Sequence, residues 1–124
     1  MAGYRDKRIA VIGVSNNPSK YGFRIFRDLL KAGYQVEGVN PRGGTVEGRE
    51  IFATLGAVNP APQLVVTVVN PSVTEKIVEE CHRLGVGEIW MQPGSESEQA
   101  ISQAEKYGIK TTYNACFMIE TGEW

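Results

Sequence analysis

The sequence predicts an α/β protein of three layers, a five-stranded parallel sheet in the order 3-2-1-4-5 with helices on both faces. Three observations predict it. Short apolar runs rich in β-branched residues alternate, from Ile9 to Tyr113, with segments whose apolar residues recur at helical spacing. Glycines stop those helical segments, at Gly33, Gly85 and Gly108. Polar or turn-forming residues close the first four apolar runs, at Gly13-Val14-Ser15, Asn40-Pro41-Arg42, Asn70-Pro71-Ser72 and Gln92-Pro93-Gly94.

The first strand, Ile9 to Ile12, is a continuous apolar run opened by Lys7 and Arg8, as expected of a strand buried on both faces. Gly13 ends it with a residue that turns sharply. Gly22 falls in the first turn of the next helix, where a missing side chain permits close packing on the sheet. Between the two glycines lie Ser15, Asn16, Asn17, Ser19 and Lys20, hydroxyls, amides and a cation beside a helix N-terminus whose free N–H groups favour an anion. That is the chemistry of a phosphate site. The spacing is neither G-x-G-x-x-G nor G-x-x-x-x-G-K-[ST], so the loop reads equally as a polar helix cap in which Gly22 serves only packing.

The helix Gly22–Ala32 carries Ile25, Phe26, Leu29 and Leu30 on one face, and Tyr34–Val39 is the second strand. After the turn residues Asn40 to Gly44, Ile51 and Phe52 are expected to dock on the sheet and Ala53–Val58 to form a short helix. Asn59-Pro60-Ala61-Pro62 breaks the chain before the third strand, Leu64–Val69. Ser72 with Glu75 predicts a capping box for a helix that buries Ile77, Val78, Cys81 and Leu84, with His82 pointing elsewhere. Glu88–Met91 is the fourth strand. Ser95 with Glu98 predicts a second capping box, for a helix to Tyr107 that buries Ala100, Ile101 and Ala104. Ile109–Tyr113 is the fifth strand, and the tail from Asn114 to Glu120 is apolar enough to fold back onto the body.

At 124 residues, 42% hydrophobic and 22% charged, the whole chain, 1–124, is expected to form one soluble domain. Its formal net charge of −1 and interleaved charges argue against a nucleic-acid or anionic-membrane binder. No apolar run approaches the ~18 residues of a membrane span and residues 1–8 hold no signal-like core, so a cytoplasmic protein is expected. Cys81, Cys116 and the single His82 lack metal-ligand spacing, and neither a metal site nor a disulfide is expected. His82 has no acidic partner at a strand end, so no catalytic constellation is visible.

In a sheet of this kind the ligand sits outside the carboxyl ends of the strands, at the switch point beside the first strand. The end of the second strand discriminates between ligands. NAD binders place Asp or Glu there for the ribose diol; here stand Asn40 and Arg42, suited to a ribose phosphate, with Gly43 and Gly44 leaving the backbone open to close contact. An ordinary solvated loop cation is the other reading of Arg42.

The series Ala10 to Ser15, Pro18, Lys20 and Gly22, then Gly33-Tyr34 and Val39-Asn40-Pro41, then Trp90 to Gly94, then Cys116 to Glu120, resembles the small stand-alone CoA-binding domain proteins. These are similar in fold to the first, Rossmann-like domain of the succinyl-CoA synthetase alpha subunit. The resemblance implies a coenzyme A site built from Gly13, Ser15 and Lys20, from Arg42, and from Val69, Asn70 and Pro71. With their neighbours Val14, Tyr21, Gly22, Asn40 and Pro41, these are the candidate binding residues. The function expected is non-catalytic binding of coenzyme A or an acyl-CoA. Loop amides and Lys20 hold the pyrophosphate, Arg42 meets the ribose phosphate, and the loop after the third strand lines the adenine. Two alternatives stay open. One is an NADP(H)-binding oxidoreductase or redox sensor. The other is an interaction module with a vestigial nucleotide pocket, whose apolar tail and Trp124 serve a protein partner or a homo-oligomer. Cys116 would form a mixed disulfide with coenzyme A if its thiol faced the pocket.

Overall fold

The computed structural model describes residues 3–124. Its elements run β1 (Arg8–Ile12), α1 (Tyr21–Lys31), β2 (Gln35–Val39), β3 (Thr45–Val46), β4 (Arg49–Phe52), a 3-10 turn (Leu55–Ala57), β5 (Leu64–Thr67), α2 (Pro71–Leu84), β6 (Glu88–Met91), α3 (Glu98–Lys106), β7 (Lys110–Thr112) and α4 (Phe117–Glu120). They form a sheet of seven strands in the order β3-β4-β2-β1-β5-β6-β7, parallel except for the β3–β4 hairpin. Among the described residues no helix is long and apolar enough to cross a membrane.

The α/β class stands, but the count of five strands and the order 3-2-1-4-5 do not. The run expected as the third strand is β5, and it pairs with β1, from Ile9 opposite Leu64 to Ile12 opposite Thr67. The place beyond β2 belongs instead to β4, which pairs with β2 at Gly38–Ile51 and Val39–Phe52. Gly38 makes that pairing possible, since a Cβ there would stand 2.7 Å from Ile51 Cδ1. The hairpin escapes a sequence reading because its turn is Glu47-Gly48, with φ of 51° and 75°. Two left-handed residues make a tight hairpin turn, a role usually signalled by Asn-Gly or Asp-Gly. The chain therefore builds β2 and β4 on one side of β1 and returns to build β5 on the other, leaving the switch point between β1 and β5.

Alternation along β1 divides the core. Ile9 and Val11 face Ile25, Phe26 and Leu29 of α1 and Phe117 and Met118 of α4. Ala10 and Ile12 face the opposite layer, where Ile77, Val78 and Cys81 of α2 lie with Ala100 and Ala104 of α3. The tail does fold back. Trp90 Nε1 donates to Ala115 O at 2.9 Å, and Phe117 N donates to Gln92 Oε1 at 2.6 Å. Trp124 Nε1 donates to Asp28 Oδ2 at 2.8 Å, and Tyr34 OH donates to Glu123 Oε2 at 2.8 Å.

Neither expected capping box forms. Asn70 is the N-cap of α2, Pro71 opens its first turn, and no side chain caps it. Glu75 instead accepts from Ser97 Oγ at 2.7 Å. Ser97 is the cap of α3, accepting from Ala100 N at 3.0 Å, while Ser95 is buried within hydrogen-bond distance of Thr67 O and Gln92 O. Ser95 stands at the capping-box spacing from Glu98, whereas the true cap, Ser97, is followed at that spacing by Ala100, so the sequence pattern points two residues too early.

Candidate ligand site at the carboxyl edge of the sheet

The loop from β1 to α1 is built on backbone contacts. Gly13 has φ of 101°, and a Cβ added there would lie 2.3 Å from Val68 O. A Cβ on Gly22 would lie 2.0 Å from Gly13 O. The first turn of α1 thus rests directly on the end of β1, as the sequence predicts for Gly22. Between the glycines the loop is stiffened by its own side chains. Ser15 Oγ accepts from Asn17 N at 3.0 Å, and Asn17 Oδ1 accepts from Ser19 N at 3.0 Å. No side chain caps α1 and its first turn holds no acidic residue, so the positive end of the helix is left uncompensated.

Asn40 joins this loop to the end of β2. Its Nδ2 donates to Val14 O at 2.7 Å, its Oδ1 accepts from Arg42 N at 2.9 Å, and its own N donates to Phe52 O at 2.9 Å. The resulting cleft, of about 240 Å³, has Val14, Ser15 and Asn16 on one wall and Arg42, Gly43 and Gly44 on the other. Thr45 and Val46 of β3 close it. Arg42 is exposed, and its guanidinium pairs with no carboxylate among the described residues.

Two more clefts adjoin along the ends of β5 and β6. One, of about 250 Å³, brings Val69 and Asn70 together with Gly94 and Ser95. The other, of about 460 Å³, opens on the α1 side between Tyr21, Val68, Pro93 and the tail residues Cys116, Ile119 and Trp124. Gln92 borders both, buried, with Nε2 donating to Cys116 Sγ at 3.4 Å. His82 lies far from this edge in the chain path, exposed near the end of α2 and stacked on Tyr107 with ring centres 3.8 Å apart.

The candidate residues are thus divided. Val14, Ser15, Asn40 and Arg42 meet in the first cleft, Val69 and Asn70 line the second, and Tyr21 borders the third. Gly13, Gly22 and Pro71 belong to the frame, the first two by packing and Pro71 by opening α2. Pro41 and Lys20 are exposed and line none of the three clefts. Gln92, Pro93, Cys116, Ile119 and Trp124 are rim residues that the candidate set lacks. The stretches Trp90–Gly94 and Cys116–Glu120 carried a signal for all but Trp124, whose place follows only from the folding back of the tail.

The model of the family described as "CoA binding domain" matches residues 7–122. The alpha subunit of an ADP-forming acetate–CoA ligase, isoform I of Pyrococcus furiosus, is 28% identical over 123 residues, covering 86% of this chain. This chain spans only 27% of that subunit's length. A solved structure of a conserved hypothetical protein from Pyrococcus furiosus superimposes with a TM-score of 0.88 at 35% identity, covering 92% of this chain and 98% of its own. A hypothetical protein from Pyrococcus horikoshii superimposes with a TM-score of 0.89 at 28% identity, covering 96% and 82%. With the match running almost end to end over the same rim-forming stretches, this chain belongs to the CoA binding domain family.

Proposed function

We propose that the chain binds coenzyme A across the carboxyl edge of its sheet and performs no covalent chemistry on it. The observation that carries this reading is the first cleft, where Asn40 clamps the β1–α1 loop to the loop that presents Arg42. An unpaired guanidinium there offers a charge-assisted contact to a ribose phosphate. The uncapped start of α1 offers N–H donors and a dipole to the pyrophosphate, with Lys20 at its N-cap adding a positive charge. Val69 and Asn70 at the end of β5 line the adenine, with Pro71 stiffening the loop behind them. Family membership favours coenzyme A over NADP as the phosphorylated adenosine ligand.

The test is a thermal-shift titration with CoA, dephospho-CoA, NAD and NADP in one buffer. A ligand bound only by the folded state at ~100-fold its dissociation constant adds about 2.7 kcal/mol, which raises the melting temperature by several degrees. Stabilisation by CoA above the other three is expected. A larger shift with NADP would make the protein a nicotinamide nucleotide binder, and no shift with any of them would remove the ligand site altogether.

A further inference from the structure

Resting on the coenzyme A reading above, we propose that the third cleft takes an uncharged, apolar acyl group, so that the protein holds an acyl-CoA thioester in preference to the free thiol. Five large hydrophobic side chains stand exposed among the described residues, and three of them, Tyr21, Ile119 and Trp124, surround this one cleft. Apolar side chains gathered round a concavity mark a ligand surface, whereas scattered ones do not. Tyr21 is the first residue of α1, so an arm leaving a pyrophosphate at that helix start passes directly into the cleft.

Apart from the Tyr21 hydroxyl, the polar side-chain atoms in its wall are committed elsewhere. Gln92 is held by Phe117 N and Cys116 Sγ, and Trp124 Nε1 is held by Asp28. No Lys, Arg, Asp or Glu lines the cleft. A carboxylated acyl group would bring its charge against a wall that supplies no cation of its own. Acyl groups made only of methyl and methylene carbons lose nothing there and gain burial.

The experiment is calorimetric titration of the protein and of Ile119→Ser with CoA, acetyl-CoA, butyryl-CoA and succinyl-CoA, with sedimentation of both proteins over a range of concentrations. Ile119 is exposed on a short helix, so its substitution spares the core. At roughly fourfold for each methylene buried, butyryl-CoA is expected to bind up to about 15-fold tighter than acetyl-CoA. Succinyl-CoA is expected to show no such gain, and Ile119→Ser to lose most of the butyryl-over-acetyl gain. Equal affinity for CoA and every acyl-CoA overturns this inference and leaves the coenzyme A reading standing. Binding of none of the four overturns both. Loss of a concentration-dependent dimer in Ile119→Ser, with acyl preference unchanged, would overturn it by making this face a contact between copies.

Discussion

Gly22 occupies a place where a methyl group has no room, because Gly13 O stands 2.0 Å from where its Cβ would be. Helix propensity alone would make Gly22→Ala stabilising by about 1 kcal/mol. The contact reverses the sign, and a loss of about 1–3 kcal/mol is expected in urea denaturation, as for other overpacked sites. A midpoint equal to or above that of the parent protein would show that α1 can lift off β1 without cost. At the ligand end, Arg42→Ala is expected to weaken CoA more than dephospho-CoA, by about 1.5–3 kcal/mol for a lost charge-assisted bond. Equal losses for the two ligands would take Arg42 off the phosphate. The two thiols separate by burial. Cys81 is fully buried and pushed up to about 12, by desolvation first and the nearby Glu80 charge second, whereas Cys116 is half-buried at a cleft. A disulfide reagent at pH 8 is therefore expected to label Cys116 in the native protein and Cys81 only after unfolding. The packing of Gly22 and the position of Arg42 at the rim are legible in the sequence because each is decided by local chemistry, a helix start and a strand end.

The elements differ in how openly the sequence declared them. Strands β1, β5 and β6 are continuous apolar runs buried on both faces, and they read directly. β4 did not, because Arg49 and Glu50 make half of its four residues and only Ile51 is buried. Its strand character comes from β2, through the space left at Gly38. The caps escape a sequence reading for a related reason, since Ser72, Ser95 and Ser97 are the same residue type and only the tertiary surroundings tell them apart. Their energetics should therefore differ. Ser97→Ala is expected to cost about 0.5–2 kcal/mol as a lost cap, and Ser72→Ala close to nothing, since Ser72 is exposed and caps no amide. Chemical denaturation of the two variants checks this, and a loss at Ser72 as large as that at Ser97 would restore the capping box to α2.

The molecule as a whole carries an alkaline weakness. Tyr4 is pushed up to about 12, chiefly by desolvation and then by its hydrogen bond to Glu88 at 2.6 Å. With Cys81 also raised, the native state holds protons that the unfolded chain releases from about pH 9 for the thiol and about pH 10 for the phenol. Their contribution to stability is therefore complete below pH 9 and declines as pH rises toward 12. Tyr4→Phe is expected to flatten the part of that decline above pH 10, as measured by urea midpoints at pH 8, 10 and 11; an unchanged slope would take Tyr4 out of the effect. The three rim clefts also differ in how much of the chain they require. Every residue lining the polar cleft falls between Val14 and Val46, whereas the apolar cleft needs Tyr21 and Trp124 in the same place. The polar end of the site is therefore spelled out within 33 consecutive residues, 14–46, whereas the apolar end closes only once the segment that carries Cys116, Ile119 and Trp124 has docked on α1. A protease that cuts after Tyr113 would leave every lining residue of the polar cleft in the longer fragment while removing Cys116, Ile119 and Trp124 from the apolar one.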